Sequence, residues 1–81
     1  MSTDEIVLDE LVKITGTEEV RSNLDLALFE DDILDSLGSV ELIVALGDLF
    51  HIDLSPAQVD RTMWATPRRI IADIENRLKP R

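Results

Sequence analysis

The stretch from residue 36 to residue 50, SLGSVELIVALGDLF, constrains the fold more than any other part of the chain. Its aliphatic residues recur at the spacing of an α-helix, and Asp35 and Ser36 are both residue types that favour a helix N-terminus. Apolar residues form one stripe and a second row beside it: Val40, Ile43, Val44, Gly47 and Phe50, then Leu42, Leu46 and Leu49. The pattern predicts a central helix that is buried on two sides.

Three other helices are predicted from their end signals. Ser2 and Glu5 have the spacing of a capping box, and the apolar stripe that follows them ends at Thr15-Gly16. Ser55-Pro56 is a cap followed by a proline at the first helical position, which predicts a short helix. Thr66-Pro67 repeats this signal and predicts the last helix.

Residues 17–35 lack a clean helical period. We expect a long loop that its leucines hold against the core, with room for a short helical turn. The fold class is therefore all-α, a small helical bundle of three main helices and one short helix, with this long loop between helices one and two. A chain of 81 residues is expected to form a single domain over residues 1–81.

Composition excludes several kinds of site. The chain has no cysteine and one histidine, His51, so it offers no disulfide, no thiolate nucleophile and no His-rich metal centre. We predict no metal site. The longest apolar run, Leu42 to Leu46, is far shorter than the roughly 20 residues that span a bilayer. With no signal-peptide pattern at the N-terminus, the sequence predicts a cytoplasmic protein.

Charge is distributed unevenly along the chain. Residues 1–60 carry 15 acidic and two basic residues, a net charge of −13, whereas residues 61–81 carry two acidic and six basic residues, a net charge of +4. An acidic surface repels phosphate backbones, so we expect no nucleic-acid partner, and it favours basic protein surfaces. An acidic face that only maintains solubility is the alternative. Arg68 and Arg69 in the first turn of the last helix oppose the helix dipole, and the sequence gives no reason for them.

An enzyme active site is not predicted. Leu34-Asp35-Ser36-Leu37-Gly38 lacks the first glycine of a nucleophile elbow, and a single histidine is available as a base. The chain contains no glycine-rich phosphate loop, and its acidic cluster at residues 31–35 lacks the ligand spacing of an EF-hand.

The segment Asp-Ser-Leu-Gly-Ser-Val-Glu-Leu, residues 35–42, resembles the phosphopantetheine attachment motif of acyl carrier proteins. The resemblance extends over almost the whole chain and includes the long acidic loop. Within this superfamily the chain is most similar to the D-alanyl carrier proteins of Gram-positive bacteria. The similarity rests on Gly38, on Val59-Asp60-Arg61 and on Trp64 followed by Thr66-Pro67.

The resemblance implies a covalent 4′-phosphopantetheine on Ser36, transferred from coenzyme A by a phosphopantetheinyl transferase. An AMP-forming D-alanine–carrier protein ligase would then load D-alanine onto the arm as a thioester. A membrane O-acyltransferase machinery would receive it and esterify lipoteichoic acid. A helix N-terminus suits the phosphate, because its amide groups lack partners. The alternative for Ser36 is plain N-capping of the helix.

Partner docking is predicted at Asp35, Leu37, Gly38, Val40 and Glu41. We expect Leu37 to be partly exposed and Gly38 to keep the backbone accessible. The resemblance implies that Asp35 helps to orient the metal of the transferase, and a helix cap is the alternative. The chain is expected to act as a monomer and to supply no catalytic group.

Outside the motif, Trp64 is expected to anchor the core, and Asp60 and Arg61 to form an exposed ion pair. Two other functions remain open. One is a carrier for fatty-acyl, polyketide or peptidyl groups, which differs only in cargo. The other is a helical interaction module that is never modified.

Overall fold

A computed structural model describes residues 2–79 of the chain. It contains helices α1 (Thr3–Thr15), α2 (Glu19–Ser22), α3 (Ser36–Phe50) and α4 (Pro67–Leu78), and a single 3₁₀ turn at Pro56–Gln58. No strand occurs between residues 2 and 79. The predicted all-α bundle with three main helices is confirmed. The helix predicted after Ser55 is only this 3₁₀ turn, and α2 supplies the helical turn within the long loop.

The helix ends follow the sequence signals, with one exception. At α4 the Thr66 hydroxyl accepts a hydrogen bond from the Arg69 amide at 3.2 Å, and Pro67 occupies the first helical position. α1 ends at Thr15 and is capped by Gly16, whose φ of 76° is in the left-handed region that glycine adopts without strain. α1 begins after Ser2 as predicted, but the capping box is wrong. The Ser2 hydroxyl donates to the carboxylates of Asp4 and Glu5 instead of accepting from a backbone amide.

The core forms where α1 packs against both α3 and α4. Its buried side chains come from every part of the chain: Val7, Leu11, Val20, Leu26, Leu28, Leu34, Leu42, Ile43, Leu46, Trp64, Ile70 and Ile74. The prediction that the helix of residues 36–50 is buried on two sides is wrong. Gly38, Leu42, Ile43 and Leu46 are its buried residues, whereas Val40 and Val44 are exposed. α1 packs against both other long helices.

The long loop is held to the core by its leucines, as predicted. Leu26, Leu28 and Leu34 are buried, and the Leu28 amide donates to the Ala65 carbonyl at 3.0 Å. This bond joins the loop to the segment that precedes α4. Buried backbone amides and carbonyls need hydrogen-bond partners, and here the long loop and the segment before α4 provide them for each other.

Arg68 and Arg69 connect the first turn of α4 to its two neighbouring segments. The Arg68 amide donates to the Leu24 carbonyl at 2.9 Å, and its guanidinium pairs with the Asp25 carboxylate at 2.9 Å. Arg69 donates from its guanidinium to the Thr62 carbonyl at 3.0 Å. The two arginines therefore fix the loop and the segment before α4. Across residues 2–79 no helix is both long enough and apolar enough to cross a membrane.

Candidate functional site

Ser36 is the first residue of α3, and its side chain is exposed. The residue before it forms the helix cap, because the Asp35 carboxylate accepts a hydrogen bond of 2.6 Å from the Gly38 amide. Plain N-capping by Ser36 is therefore wrong, since Asp35 already performs it. The Ser36 hydroxyl is left available at the surface, at the N-terminus of α3, two residues after the buried Leu34.

Arg61 is the nearest charged partner of this hydroxyl. Its guanidinium donates a hydrogen bond of 2.7 Å from Nη2 to the Ser36 Oγ atom, across 25 residues of sequence. The same guanidinium lies over the ring of Phe29, 5.2 Å from its centroid, a distance at which cation–π attraction acts. The loop, the N-terminus of α3 and the segment after the 3₁₀ turn thus meet at Ser36.

The expected ion pair between Asp60 and Arg61 is wrong. The Asp60 carboxylate accepts a hydrogen bond of 2.8 Å from the Met63 amide and so stabilises the turn before Trp64. Arg61 points instead to Ser36. Sequence reasoning missed this role of Arg61, and its only signal was the position of Arg61 in the Val59-Asp60-Arg61 element of the resemblance.

Backbone amides at the start of α3 complete the positive end of the site. The amides of Ser36 and Leu37 donate no hydrogen bond to any group in the described range 2–79, whereas the Gly38 and Ser39 amides bond to Asp35. Unsatisfied amides in the first turn of a helix favour an anion. Ser39 lies one turn along the helix, and its hydroxyl donates to the Ser36 carbonyl at 2.8 Å.

A surface cleft of about 620 Å³ lies beside the site. Its lining comes from the long loop and from the segment that leads into α4: Ala27, Phe29, Glu30, Arg61, Thr62, Ala65, Thr66 and Arg69. Arg61 belongs both to this lining and to the contact with Ser36. Around the cleft and the site, the acidic residues of the loop are exposed: Glu30, Asp31, Asp32 and Asp35.

Gly38 has a packing role and does not lie on the exposed surface. It is buried, and a Cβ atom at this position would lie 3.1 Å from the Asp35 carboxylate, 3.1 Å from Leu34 and 3.2 Å from Ile14. A side chain here would press on the cap and on the core at once. The expected role of Gly38 in docking is therefore corrected, because no partner can reach its buried side.

An apolar face of α3 next to Ser36 is exposed. Leu37 is 68% exposed, Val44 58% and Val40 40%. These three residues follow the i, i+3, i+7 spacing of one helix face, and we call them the α3 face. Asp35 and Glu41 are exposed near it. Val44 was predicted to be buried, because aliphatic residues occur on both sides of this helix and their spacing alone does not show which side faces the core.

The residues at the site suit a phosphopantetheine group. An exposed hydroxyl can form the phosphodiester, and a guanidinium already within hydrogen-bond distance can balance its charge. The two available amides add further donors toward an anion. Asp35, the acidic neighbour, is engaged with the Gly38 amide.

Comparison with known proteins identifies the family. Residues 5–77 match the family model described as a phosphopantetheine attachment site. The chain is 45% identical over 69 residues to the D-alanyl carrier protein of Lacticaseibacillus casei (strain BL23), an alignment that covers 85% of each chain. It is 43% identical over 75 residues to the D-alanyl carrier protein of Enterococcus faecalis (strain ATCC 700802 / V583), over 93% of this chain and 96% of the relative.

A third relative agrees. The D-alanyl carrier protein 1 of Lactiplantibacillus plantarum (strain ATCC BAA-793 / NCIMB 8826 / WCFS1) is 42% identical over 74 residues, 91% of each chain. These alignments include the motif at residues 35–42 and nearly all the elements that surround it. The chain therefore belongs to the family of carrier proteins with a phosphopantetheine attachment site, within the D-alanyl carrier proteins.

Proposed function

We propose that this chain carries D-alanine on a 4′-phosphopantetheine arm attached to the hydroxyl of Ser36. The observation that carries the proposal is the exposed Ser36 hydroxyl at the start of α3, left out of the helix cap by Asp35 and contacted by Arg61. The family match over residues 5–77 includes this position. When bound, the arm supplies a terminal thiol that holds the aminoacyl group in activated form.

Each residue of the site has a distinct task in this proposal. Ser36 provides the acceptor oxygen for a phosphopantetheinyl transferase that uses coenzyme A. Asp35 caps the first turn of α3 through the Gly38 amide and so supports the helical turn that carries Ser36. The chain itself contributes no catalytic group. The transferase and the ligase bring the bases, the metal and the nucleotides, and this chain presents the attachment point.

The α3 face is the proposed docking surface for these enzymes. Leu37, Val40 and Val44 offer apolar area next to Ser36, and the exposed Asp35 and Glu41 add negative charge beside it. Buried apolar area slows dissociation, whereas complementary charge raises the association rate. A partner with a basic rim around an apolar centre would use both.

The proposed sequence of partners has three members. A phosphopantetheinyl transferase attaches the arm, an AMP-forming D-alanine ligase loads it, and a membrane O-acyltransferase machinery accepts D-alanine for lipoteichoic acid. The names of the relatives support the cargo, since each is a D-alanyl carrier protein.

We place the chain in the cytoplasm, where coenzyme A and ATP are supplied, as one carrier domain of residues 1–81. It acts as a monomer in this proposal, which sedimentation equilibrium would test.

Mass spectrometry tests the attachment site. Incubation of the wild-type protein with coenzyme A and a broad-range transferase should add one phosphopantetheine, mapped to the peptide that contains Ser36. Ser36→Ala should gain no mass, whereas Ser39→Ala, which removes a hydroxyl three residues away on the same helix, should be modified fully. No added mass on the wild type, with a control carrier modified in parallel, would favour an unmodified interaction module.

Loading assays test the cargo. The modified protein should accept D-alanine from a D-alanine-specific ligase much faster than it accepts a fatty acid from an acyl carrier synthetase. Equal or reversed rates would assign the chain to fatty-acyl carriers and leave the attachment site intact.

A further inference from the structure

Arg61 forms no salt bridge to a carboxylate among residues 2–79, although it lies beside the acidic long loop. Arg21, Arg68 and Arg77 each form a salt bridge with an acidic side chain. Within residues 2–79 Arg61 has no carboxylate within 4.0 Å, although Asp60 is its neighbour in sequence and Glu30 lines the same cleft. Its partners are the Ser36 hydroxyl and the ring of Phe29.

This arrangement holds the positive charge of Arg61 at the Ser36 hydroxyl, and no carboxylate pairs with that charge among residues 2–79. Phe29 provides a flat surface for the guanidinium, and the Ser36 Oγ atom accepts from one Nη2 hydrogen. A guanidinium has five donors in a planar fork that matches the oxygens of a phosphate. Most of these donors are therefore available to an anion that is covalently linked to the same Oγ atom.

We propose that Arg61 binds the phosphodiester of the attached arm and thereby directs the start of the arm to the edge of the adjacent cleft. Arg61 is a positioning residue in this role, because it acts on the phosphate and not on the thiol that carries the cargo. The inference rests on Ser36 being the attachment residue. The amides of Ser36 and Leu37 are the further donors to the same phosphodiester.

The position of the cleft indicates in which direction the arm leaves Ser36. Arg61 lines it together with Ala27, Thr62, Ala65 and Thr66, which belong to the long loop and to the segment that leads into α4, and no residue of the α3 face is in its lining. An arm whose phosphate is held by Arg61 begins at this edge, away from the α3 face. The docking surface then stays clear of the arm while a partner binds.

The test compares apo and modified forms of four proteins: wild type, Arg61→Gln, Arg61→Lys and Arg68→Gln. Arg68→Gln is the matched control, since it removes the same charge from a residue whose guanidinium pairs with Asp25. Complete modification is first established by mass for each protein. Attachment should raise the Tm of the wild type by about 2–4 °C, the shift that a modest new contact produces in a domain of this size.

The same gain in Tm is expected for Arg68→Gln, because the difference between apo and modified forms cancels the loss of its own ion pair. The gain in Tm on attachment should nearly vanish for Arg61→Gln. It should be intermediate for Arg61→Lys, which keeps the positive charge but lacks the planar fork of donors. The ³¹P chemical shift of the arm should change in Arg61→Gln, change less in Arg61→Lys and stay the same in Arg68→Gln. In the wild type, attachment should shift the Nε–Hε resonance of Arg61 and the amide resonances of Ala27 and Thr62.

Distinct outcomes separate this inference from the proposed function. Modification of Ser36 with the same gain in Tm and the same ³¹P shift in Arg61→Gln as in the wild type would overturn the role of Arg61 and leave the attachment site standing. An unmoved Arg61 resonance in the wild type would overturn it as well, even if the transferase failed to modify the variants. Failure to modify the wild type at all would overturn both.

Discussion

The indole nitrogen of Trp64 donates a hydrogen bond of 2.9 Å to the carboxylate of Asp73, and Arg77 donates to the same oxygen at 3.0 Å. Trp64 is fully buried and is the largest such side chain described. The bond fastens the segment before α4 to the middle of α4. Because Arg61 lies three residues before Trp64 in this segment, the same anchor holds Arg61 where it reaches Ser36.

Trp64→Phe should destabilise the fold and loosen the site. It removes the donor to Asp73 and leaves unfilled volume in the core, for a combined loss of about 2–3 kcal/mol in the free energy of unfolding. Asp73 retains Arg77 as a partner, so no charge is left isolated. Urea unfolding followed by circular dichroism measures the loss. Met63→Leu, at the exposed neighbouring position, is the control and should stay within about 0.5 kcal/mol of the wild type.

Gly38→Ala should destabilise the protein in spite of the better helix propensity of alanine. The new methyl would meet the Asp35 carboxylate, Leu34 and Ile14 at 3.1–3.2 Å, and the Asp35 oxygen cannot retreat without weakening its bond to the Gly38 amide. We expect overpacking of about 1–3 kcal/mol to exceed the gain of about 1 kcal/mol in propensity.

Gly47→Ala is the comparison for that substitution. A Cβ atom at residue 47 would make one tight contact, 3.3 Å from the Ile52 carbonyl oxygen, and an ordinary one of 3.7 Å to Leu54. Its free energy of unfolding should therefore fall less than that of Gly38→Ala. The reverse order in thermal or urea unfolding would show that Gly38 is not held by these neighbours.

Two substitutions of Asp35 should separate its contribution to stability from its electrostatic contribution to partner binding. Asp35→Asn retains a side-chain oxygen for the Gly38 amide and should leave stability nearly unchanged, whereas Asp35→Ala should lose about 1 kcal/mol. Both remove the charge beside Ser36, so both should slow ligase loading at low salt and sub-saturating carrier. Asp48→Asn removes an exposed charge about 20 Å further along α3 and should slow loading less. Equal slowing by all three would mean that only net charge matters.

Leu37→Ser should weaken partner binding without weakening the fold. Leu37 is highly exposed, so its stability effect should lie within about 0.5 kcal/mol, while the KM for loading by the ligase should rise several-fold. Leu49→Ser is the matched control, because Leu49 is an exposed leucine of α3 that points about 120° away from Leu37 around the helix. A similar rise in KM for Leu49→Ser would argue against the α3 face as the docking surface.

Acid stability should depend on the Asp25–Arg68 pair that joins the loop to α4. The hydrogen bond from Arg68 lowers the pKa of Asp25 below its ordinary value. A lowered pKa in the folded state means that the unfolded chain binds more protons, so this stabilisation is present above pH 4 or so and is lost as the pH falls through the lowered pKa. Asp25→Asn should therefore show a shallower loss of stability on acidification, measured by thermal unfolding between about pH 2 and pH 5. Equal slopes for Asp25→Asn and the wild type would contradict this role of the Asp25–Arg68 pair.

Local sequence by itself determined where the long helices begin and end and which motif marks the site. A cap followed by proline at Thr66-Pro67, and a glycine after Thr15, act within one turn of the chain and need no tertiary partner. The family motif at residues 35–42 likewise depends on neighbouring residues alone. Burial of Trp64 and of the loop leucines was predictable because transfer of large apolar side chains out of water favours the core in any arrangement.

Only the tertiary structure decided which side of α3 faces the core and which residues meet at Ser36. α3 is aliphatic on several sides, so its periodicity could not choose between Leu42 and Val44. α3 packs against α1, and Leu42, Ile43 and Leu46 are on its buried side. The contact of Arg61 with Ser36 joins residues 25 apart, and no local preference encodes it. The Leu28–Ala65 hydrogen bond joins the long loop to the segment that carries Arg61, and Trp64 joins that segment to α4. Because these contacts are between residues far apart in the chain, only the folded structure could place Arg61 beside Ser36.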